Sequence, residues 1–156
     1  MSVGTVAISK QTLKPVPQAP ARKKTLVVDD SGTILYAICT LLEHHDIVEV
    51  AGRAESGTQA LDAVLDLKPD LVLMDADMPG MSGLRTALLL SQMAPTIEVI
   101  LMSMDTSAEY RAACAGCGAK AVIYKPRFLR ELSALLERPL RNGRMAAHDG
   151  FRVTGV

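Results

Sequence analysis

The stretch Leu71-Val72-Leu73-Met74-Asp75-Ala76-Asp77-Met78-Pro79-Gly80 decides the fold. Four consecutive apolar residues describe a strand buried on both faces, the kind that runs in a parallel sheet covered by helices. The run then meets two carboxylates spaced i, i+2 and stops on Met-Pro-Gly. Asp75 and Asp77 are either a nucleophile with its general acid, or one phosphate acceptor beside a bystander. The rest of the chain has to choose.

Four similar runs flank this one: TLVV (25–28), IVEVAG (47–52), IEVILM (97–102) and AVIY (121–124). Between them apolar residues recur at helical spacing, as at Ile34, Ile38, Leu41 and Leu42, and again at Ala60, Leu61, Val64 and Leu67. Ser56 with Gln59, and Thr106 with Glu109, read as capping boxes that open the second and fourth helices. A third helix follows Ser82 through Leu84, Ala87 and Leu88, and a fifth carries Phe128, Leu132, Leu135 and Leu136. Strands alternating with helices, joined by right-handed crossovers, give an α/β fold: a flavodoxin-like, doubly wound (βα)5 sandwich with a parallel sheet in the order 2-1-3-4-5.

Composition agrees. Of the 156 residues 49% are hydrophobic but 3% aromatic, so the core is aliphatic, with Met74, Met78, Met81, Met93, Met102 and Met104 read as gap-fillers. The length suits one domain, expected over residues 24–138. Residues 1–23, with Pro15, Pro17 and Pro20, read as a flexible basic extension. Residues 139–156 read as a basic tail without an output domain. The formal net charge of zero conceals an acidic body between basic ends, which does not look like a nucleic-acid binder. With no 18-residue apolar run and no signal-like leader, the expectation is a cytoplasmic protein without membrane insertion. Cys39, Cys114 and Cys117 are odd in number and are expected as reduced thiols.

Ligands of such sheets sit at the carboxyl ends of the strands. Those ends carry Asp29 and Asp30 after strand one, Asp75 after strand three, Ser103 after strand four and Lys125 after strand five. Three carboxylates brought together repel one another unless a cation intervenes. A hard divalent ion resolves this, and Mg2+ favours a few carboxylates plus waters and phosphate oxygens. With a lysine and a hydroxyl beside it, the set describes a phosphoryl-transfer site. Each residue alone has a bland reading: Asp29 and Ser103 as helix caps, Lys125 as the partner of an acid. Their common edge carries the weight.

Val27-Val28-Asp29-Asp30-Ser31, Asp75-x-x-Met78-Pro79-x-x-x-Gly83, Ser103 and Lys125-Pro126 together resemble the receiver domain of two-component response regulators, in the same order. The resemblance makes Asp75 the phosphoacceptor. Asp30 and Asp75 become direct ligands of Mg2+ (or Mn2+), Asp29 a ligand through water, and the backbone carbonyl of Asp77 a further ligand. Ser103 and Lys125 then bind phosphoryl oxygens, with the Lys125–Pro126 bond cis. The phosphoryl donor is a phosphohistidine of a sensor histidine kinase or phosphotransfer protein. Such a chain is not a conventional enzyme, although it catalyses its own phosphorylation and dephosphorylation.

Met78 to Leu84 and Ala94-Pro95-Thr96 also resemble the receivers of chemotaxis methylesterases. Without an output domain the chain is expected to stand alone and signal through protein contacts. An unknown downstream target would meet the helix-four, strand-five, helix-five face, with Tyr110, Arg111, Lys120, Arg127 and Arg130. The family's switch joins the strand-four hydroxyl, Ser103, to an aromatic residue three before the lysine. That place holds Val122, so Tyr124, two residues on, is the candidate replacement. Asp77 and Asp105 flank the phosphoryl position and are expected to set the lifetime of the acyl phosphate. Two other readings remain: a phosphorylation-independent interaction module on the same fold, and a haloacid-dehalogenase-like phosphatase. In the latter the nucleophile lies on the first strand and the acidic pair comes last, the reverse of the order here.

Overall fold

The computed structural model describes residues 21–137. Four helices begin on a serine: α1 (Gly32–Glu43), α2 (Gly57–Leu67), α3 (Gly83–Met93) and α4 (Ala108–Gly116). Ser31, Ser56, Ser82 and Ser107 accept the amides of Ile34, Gln59, Arg85 and Tyr110 at 3.5, 3.2, 3.3 and 3.3 Å. Each bond satisfies a donor that the first helical turn leaves unpaired. The cap of α4 is therefore Ser107, not Thr106, one residue later than its spacing from Glu109 predicts. At α2 the cap is Ser56 as expected, but the Gln59 side chain reaches back to the Glu55 amide at 2.8 Å, one residue before the cap.

The strands are β1 (Lys23–Val28), β2 (Val48–Ala54), β3 (Leu71–Asp75), β4 (Glu98–Ser103) and β5 (Ala121–Tyr124), and a 3-10 turn (Lys125–Arg127) leads into α5 (Phe128–Glu137). They form one sheet in the order β2-β1-β3-β4-β5, and every pairing is parallel. β2 continues past Gly52 to Ala54, because Asp29 donates its amide to the Ala54 carbonyl and extends the ladder to the edge of the site. The expected terminal segments lie outside the described residues, apart from residues 21–23, which run into β1.

Side chains alternate across the sheet with the period of two that a strand imposes. On one side Leu26, Val28, Val72, Met74, Val99 and Leu101 pack under α2, α3 and α4, against Ala60, Val64, Ala87, Leu90 and Cys114. On the other, Val27, Leu71, Leu73, Ile100, Met102 and Ile123 meet Leu35, Ile38, Leu42, Phe128 and Leu132 of α1 and α5. Removing an aliphatic side chain of this size from water is worth about 1.5–3 kcal/mol. Met74, Met78 and Met102 fill this core as expected, whereas Met93 and Met104 are exposed, as are Ile34 and Leu41 of α1. A helical stripe read from periodicity is wider than the face that finds the sheet. Cys39, Cys114 and Cys117 are all buried free thiols.

At the amino end of the sheet Glu98 holds Lys23 at 3.1 Å and Lys120 at 2.8 Å. Burial raises the Glu98 carboxyl, but the hydrogen bonds and charges of the two ammonium groups outweigh it and leave the group below its ordinary value. Lys120, expected on the output face, thus clamps β4 to the start of β5. Among the described residues no helix is long and apolar enough to cross a membrane.

One glycine fixes the geometry of the functional edge. A Cβ on Gly83 would stand 2.1 Å from the Asp75 carbonyl oxygen and 2.7 Å from the Ala76 Cα, both backbone atoms that cannot give way. The Gly83 amide also donates to the Ala76 carbonyl at 3.0 Å, so the start of α3 is pressed against the strand end that bears Asp75. Gly83→Ala is expected to lower stability by about 1–3 kcal/mol, the usual cost of overpacking, and chemical denaturation against the wild type measures it.

Candidate functional site

The alternation that builds the core also sorts the polar residues beyond the strand ends. Asp29 and Asp75 lie two residues past Val27 and Leu73, on the α1 and α5 side, whereas Ser103 lies two past Leu101, on the α4 side. Two polar clusters result, one from each side of the sheet.

In the first, Lys125 Nζ sits 2.9 Å from Asp29 Oδ2 and 2.8 Å from Asp75 Oδ2. Asp29 is fully buried, Asp75 nearly so, and Asp30 is exposed at the rim. The remaining oxygen of each buried acid takes a backbone amide: Asp29 Oδ1 from Ser31 at 3.0 Å and Asp75 Oδ1 from Asp77 at 3.1 Å. Burial alone would lower the Lys125 ammonium, but its hydrogen bonds to Asp75 and Asp29, reinforced by their charges, hold it above the ordinary lysine value. One oxygen from each of Asp29, Asp30 and Asp75 lies within 4.8 Å of the others. Three carboxylates face one lysine, so the cluster keeps an excess of negative charge. An all-oxygen donor set with that charge fits a hard divalent ion such as Mg2+ or Mn2+.

The Lys125–Pro126 bond is trans, as is every peptide bond among the described residues, which corrects the expected cis bond. Lys125 opens the 3-10 turn, with Pro126 inside it, and this turn aims the lysine inward.

In the second cluster Ser103 is fully buried. Its hydroxyl donates to Asp77 Oδ2 at 3.2 Å and accepts the Asp105 amide at 3.0 Å. Tyr110, on the first turn of α4, donates its phenol to Asp77 Oδ1 at 3.4 Å. Burial raises the Tyr110 phenol most; Ser103 opposes this, the Asp77 charge adds to it, and the result is about 12. The phenol is therefore a donor at neutral pH. Its folded value lies above its ordinary one of 10.0, so its contribution to stability is intact below that value and fades as the pH climbs toward 12.

All five expected edge residues are thus at one edge, but in two groups, and Ser103 bonds the bystander carboxylate. Tyr110 was expected on the output surface and instead reaches into the site. A signal existed: Tyr110 is the aromatic residue of α4 and precedes the buried Cys114 by one helical turn, which points it at the sheet. Val122 packs half-buried against the α4-side core. Tyr124 stands opposite Ser103 in the ladder and donates its amide to Glu131 Oε2 at 2.8 Å.

A family model described as the response regulator receiver domain matches residues 25–137. The chain is 36% identical over 110 residues to a protein-glutamate methylesterase/protein-glutamine glutaminase of Pseudomonas putida, covering 70% of this chain and 30% of that one. To the response regulator GacA of Pseudomonas syringae pv. syringae it is 33% identical over 109 residues, covering 70% and 51% respectively. It therefore spans about a third to a half of the length of these relatives. Among solved structures, the signal receiver domain of NarL from Mycobacterium tuberculosis superposes with a TM-score of 0.68 at 23% identity, covering 76% of this chain and 98% of that one.

Proposed function

This chain belongs to the response regulator receiver domain family, and from that membership we propose that it takes a phosphoryl group onto Asp75 from a phosphohistidine of a sensor histidine kinase or phosphotransfer protein. The observation that carries this reading is the Lys125 ammonium, 2.9 and 2.8 Å from the two buried carboxylates of Asp29 and Asp75. In the resting protein it occupies Asp75 Oδ2 at 2.8 Å. During transfer the same ammonium neutralises charge on the phosphoryl oxygens, and the Asp77 amide on Asp75 Oδ1 fixes the orientation of the carboxylate. Asp75 attacks phosphorus as the bond to the imidazole nitrogen breaks, and the histidine leaves as neutral imidazole after gaining a proton.

Asp29, Asp30, Asp75 and the carbonyl of Asp77 are the residues that would hold Mg2+. When bound there, such an ion would add positive charge beside the Lys125 ammonium for the developing phosphoryl oxygens. Output runs through phosphorylation-dependent contacts at the face of α4, β5 and α5, with Ser103 as the phosphoryl-sensing hydroxyl and Tyr124 beside it. Asp77 is engaged by Ser103 and Tyr110, which supports the bystander role over that of a general acid. A cytoplasmic regulator is the form we propose.

Acetyl phosphate and Mg2+ should convert the protein to a single phosphate adduct by intact mass, and chelation of the metal should prevent it. No adduct under these conditions would leave the receiver fold as a phosphorylation-independent interaction module. Asp77 and Asp105 flank the phosphoryl position through Ser103. Asp77→Asn and Asp105→Asn are expected to change the decay rate of the adduct severalfold, the scale of one altered charge or hydrogen bond; equal decay in all three proteins removes these residues from control of its lifetime.

A further inference from the structure

A serine hydroxyl has one proton to give, and the Ser103 proton is already given to Asp77 Oδ2, 3.2 Å away. The other oxygen of the same carboxylate, Asp77 Oδ1, takes the phenol proton of Tyr110 at 3.4 Å. One side chain of the β3–α3 connection thus holds the end of β4 and the first turn of α4 together. α4 has little else: it buries Cys114 alone, whereas α1 and α3 each bury four residues and α2 three. A helix with so small a buried face is the one whose position a pair of hydrogen bonds can decide.

We propose that Asp77, Ser103 and Tyr110 form a resting-state latch that holds α4 and that phosphorylation of Asp75 opens. The proposal rests on the phosphoacceptor reading of Asp75. A phosphoryl group there competes with Asp77 for the single Ser103 proton. It also places negative charge two residues from the Asp77 carboxylate, and like charges repel. Losing Ser103 and being repelled act in the same direction. As Asp77 withdraws, Oδ1 leaves Tyr110 too, so the signal at Asp75 reaches α4 through one carboxylate. The phenol contact, at 3.4 Å, is the longer of the two and the first to fail. Tyr110 is a positioning residue here; it touches no reacting atom. The latch also accounts for Val122 at the place where the family's switch has an aromatic residue: coupling through α4 needs no aromatic side chain there.

The test is amide hydrogen exchange of residues 108–116 in the whole chain, with and without beryllofluoride and Mg2+ as the phosphoryl mimic. In the wild type, beryllofluoride should speed exchange in α4 roughly fivefold, the equivalent of one net hydrogen bond. Tyr110→Phe keeps the ring and loses the donor, and Asp77→Ala removes the acceptor. Each should show the faster exchange without beryllofluoride, and the double variant should be no faster than either single one, because both act through one bond. Resting exchange equal to wild type in both variants, or additive effects in the double variant, overturns the latch. So does a wild type whose Asp75 takes phosphate while its α4 ignores beryllofluoride. A wild type that takes neither phosphate nor beryllofluoride overturns the phosphoacceptor reading and the release step with it.

Discussion

Asp75→Asn protein incubated with acetyl phosphate and Mg2+ gains no phosphate adduct, while the wild type is labelled under the same conditions. Asparagine has the shape of aspartate but no anionic oxygen, so the substitution removes the nucleophile without opening a cavity. The near-complete burial of Asp75 makes the result sharp, because water has little room to substitute for it. Asp29, also held by Lys125, is the alternative acceptor by distance alone. Its side chain is fully buried, whereas that of Asp75 keeps a small opening through which a phosphoryl donor can reach it. Persistent labelling of Asp75→Asn, mapped to Asp29 or Asp30, would transfer the acceptor role within the cluster. The fold should be unaffected, since the side-chain oxygen of an asparagine at this position can still accept the Asp77 amide that Asp75 accepts now.

The fold was legible because its signals are local and repeated. LVLM at 71–74 reads as a doubly buried strand, and the structure buries all four residues. Strand ends were less legible, since they depend on neighbours. β2 runs two residues past Gly52 because Asp29, just beyond the end of the adjacent β1, offers an amide to Ala54. The cap of α4 moved by one residue for a similar reason: Asp105 Oδ1 accepts the Ser107 amide at 2.7 Å, which fixes the turn so that Ser107 and not Thr106 faces the first helical amides.

For the site, spacing along the chain could say which residues reach the edge but not how they divide there. Asp29, Asp75 and Lys125 meet because Asp29 and Asp75 share the parity of Val27 and Leu73, and the turn after β5 folds Lys125 over them. Ser103 has the opposite parity, and its partner is set by where the β3–α3 connection puts Asp77. That connection includes Gly80, with φ of +74°, and a glycine in the left-handed region turns the chain in a way that apolar periodicity does not encode. The Asp77–Tyr110 contact joins residues 33 apart, and neither helix nor strand pattern carries such a pairing.

Lys125→Met should have the second large effect, and its size depends on the metal. The substitution keeps an unbranched apolar stem and removes the charge, leaving Asp29 and Asp75 buried side by side without the ammonium that now bridges them. Breaking a buried ion pair costs about 3–5 kcal/mol when the remaining charge is sealed from water. Here the lysine side chain is 15% exposed and Asp30 opens the cluster to solvent, so roughly 2–4 kcal/mol is the expected loss in chelator. A divalent ion should restore most of it by bringing back the missing charge, so the variant should gain more in melting temperature from Mg2+ than the wild type does. The wild-type contribution should be flat across neutral pH: the Lys125 ammonium is held above its ordinary value of 10.5, so its stabilisation is complete below that value and is lost as the pH rises past it. Thermal melts of both proteins in chelator and in Mg2+ measure each part. If the variant melts with the wild type in chelator, the buried carboxylates do not depend on Lys125, and neutralisation by lysine ceases to explain how Asp75 is kept ready for transfer.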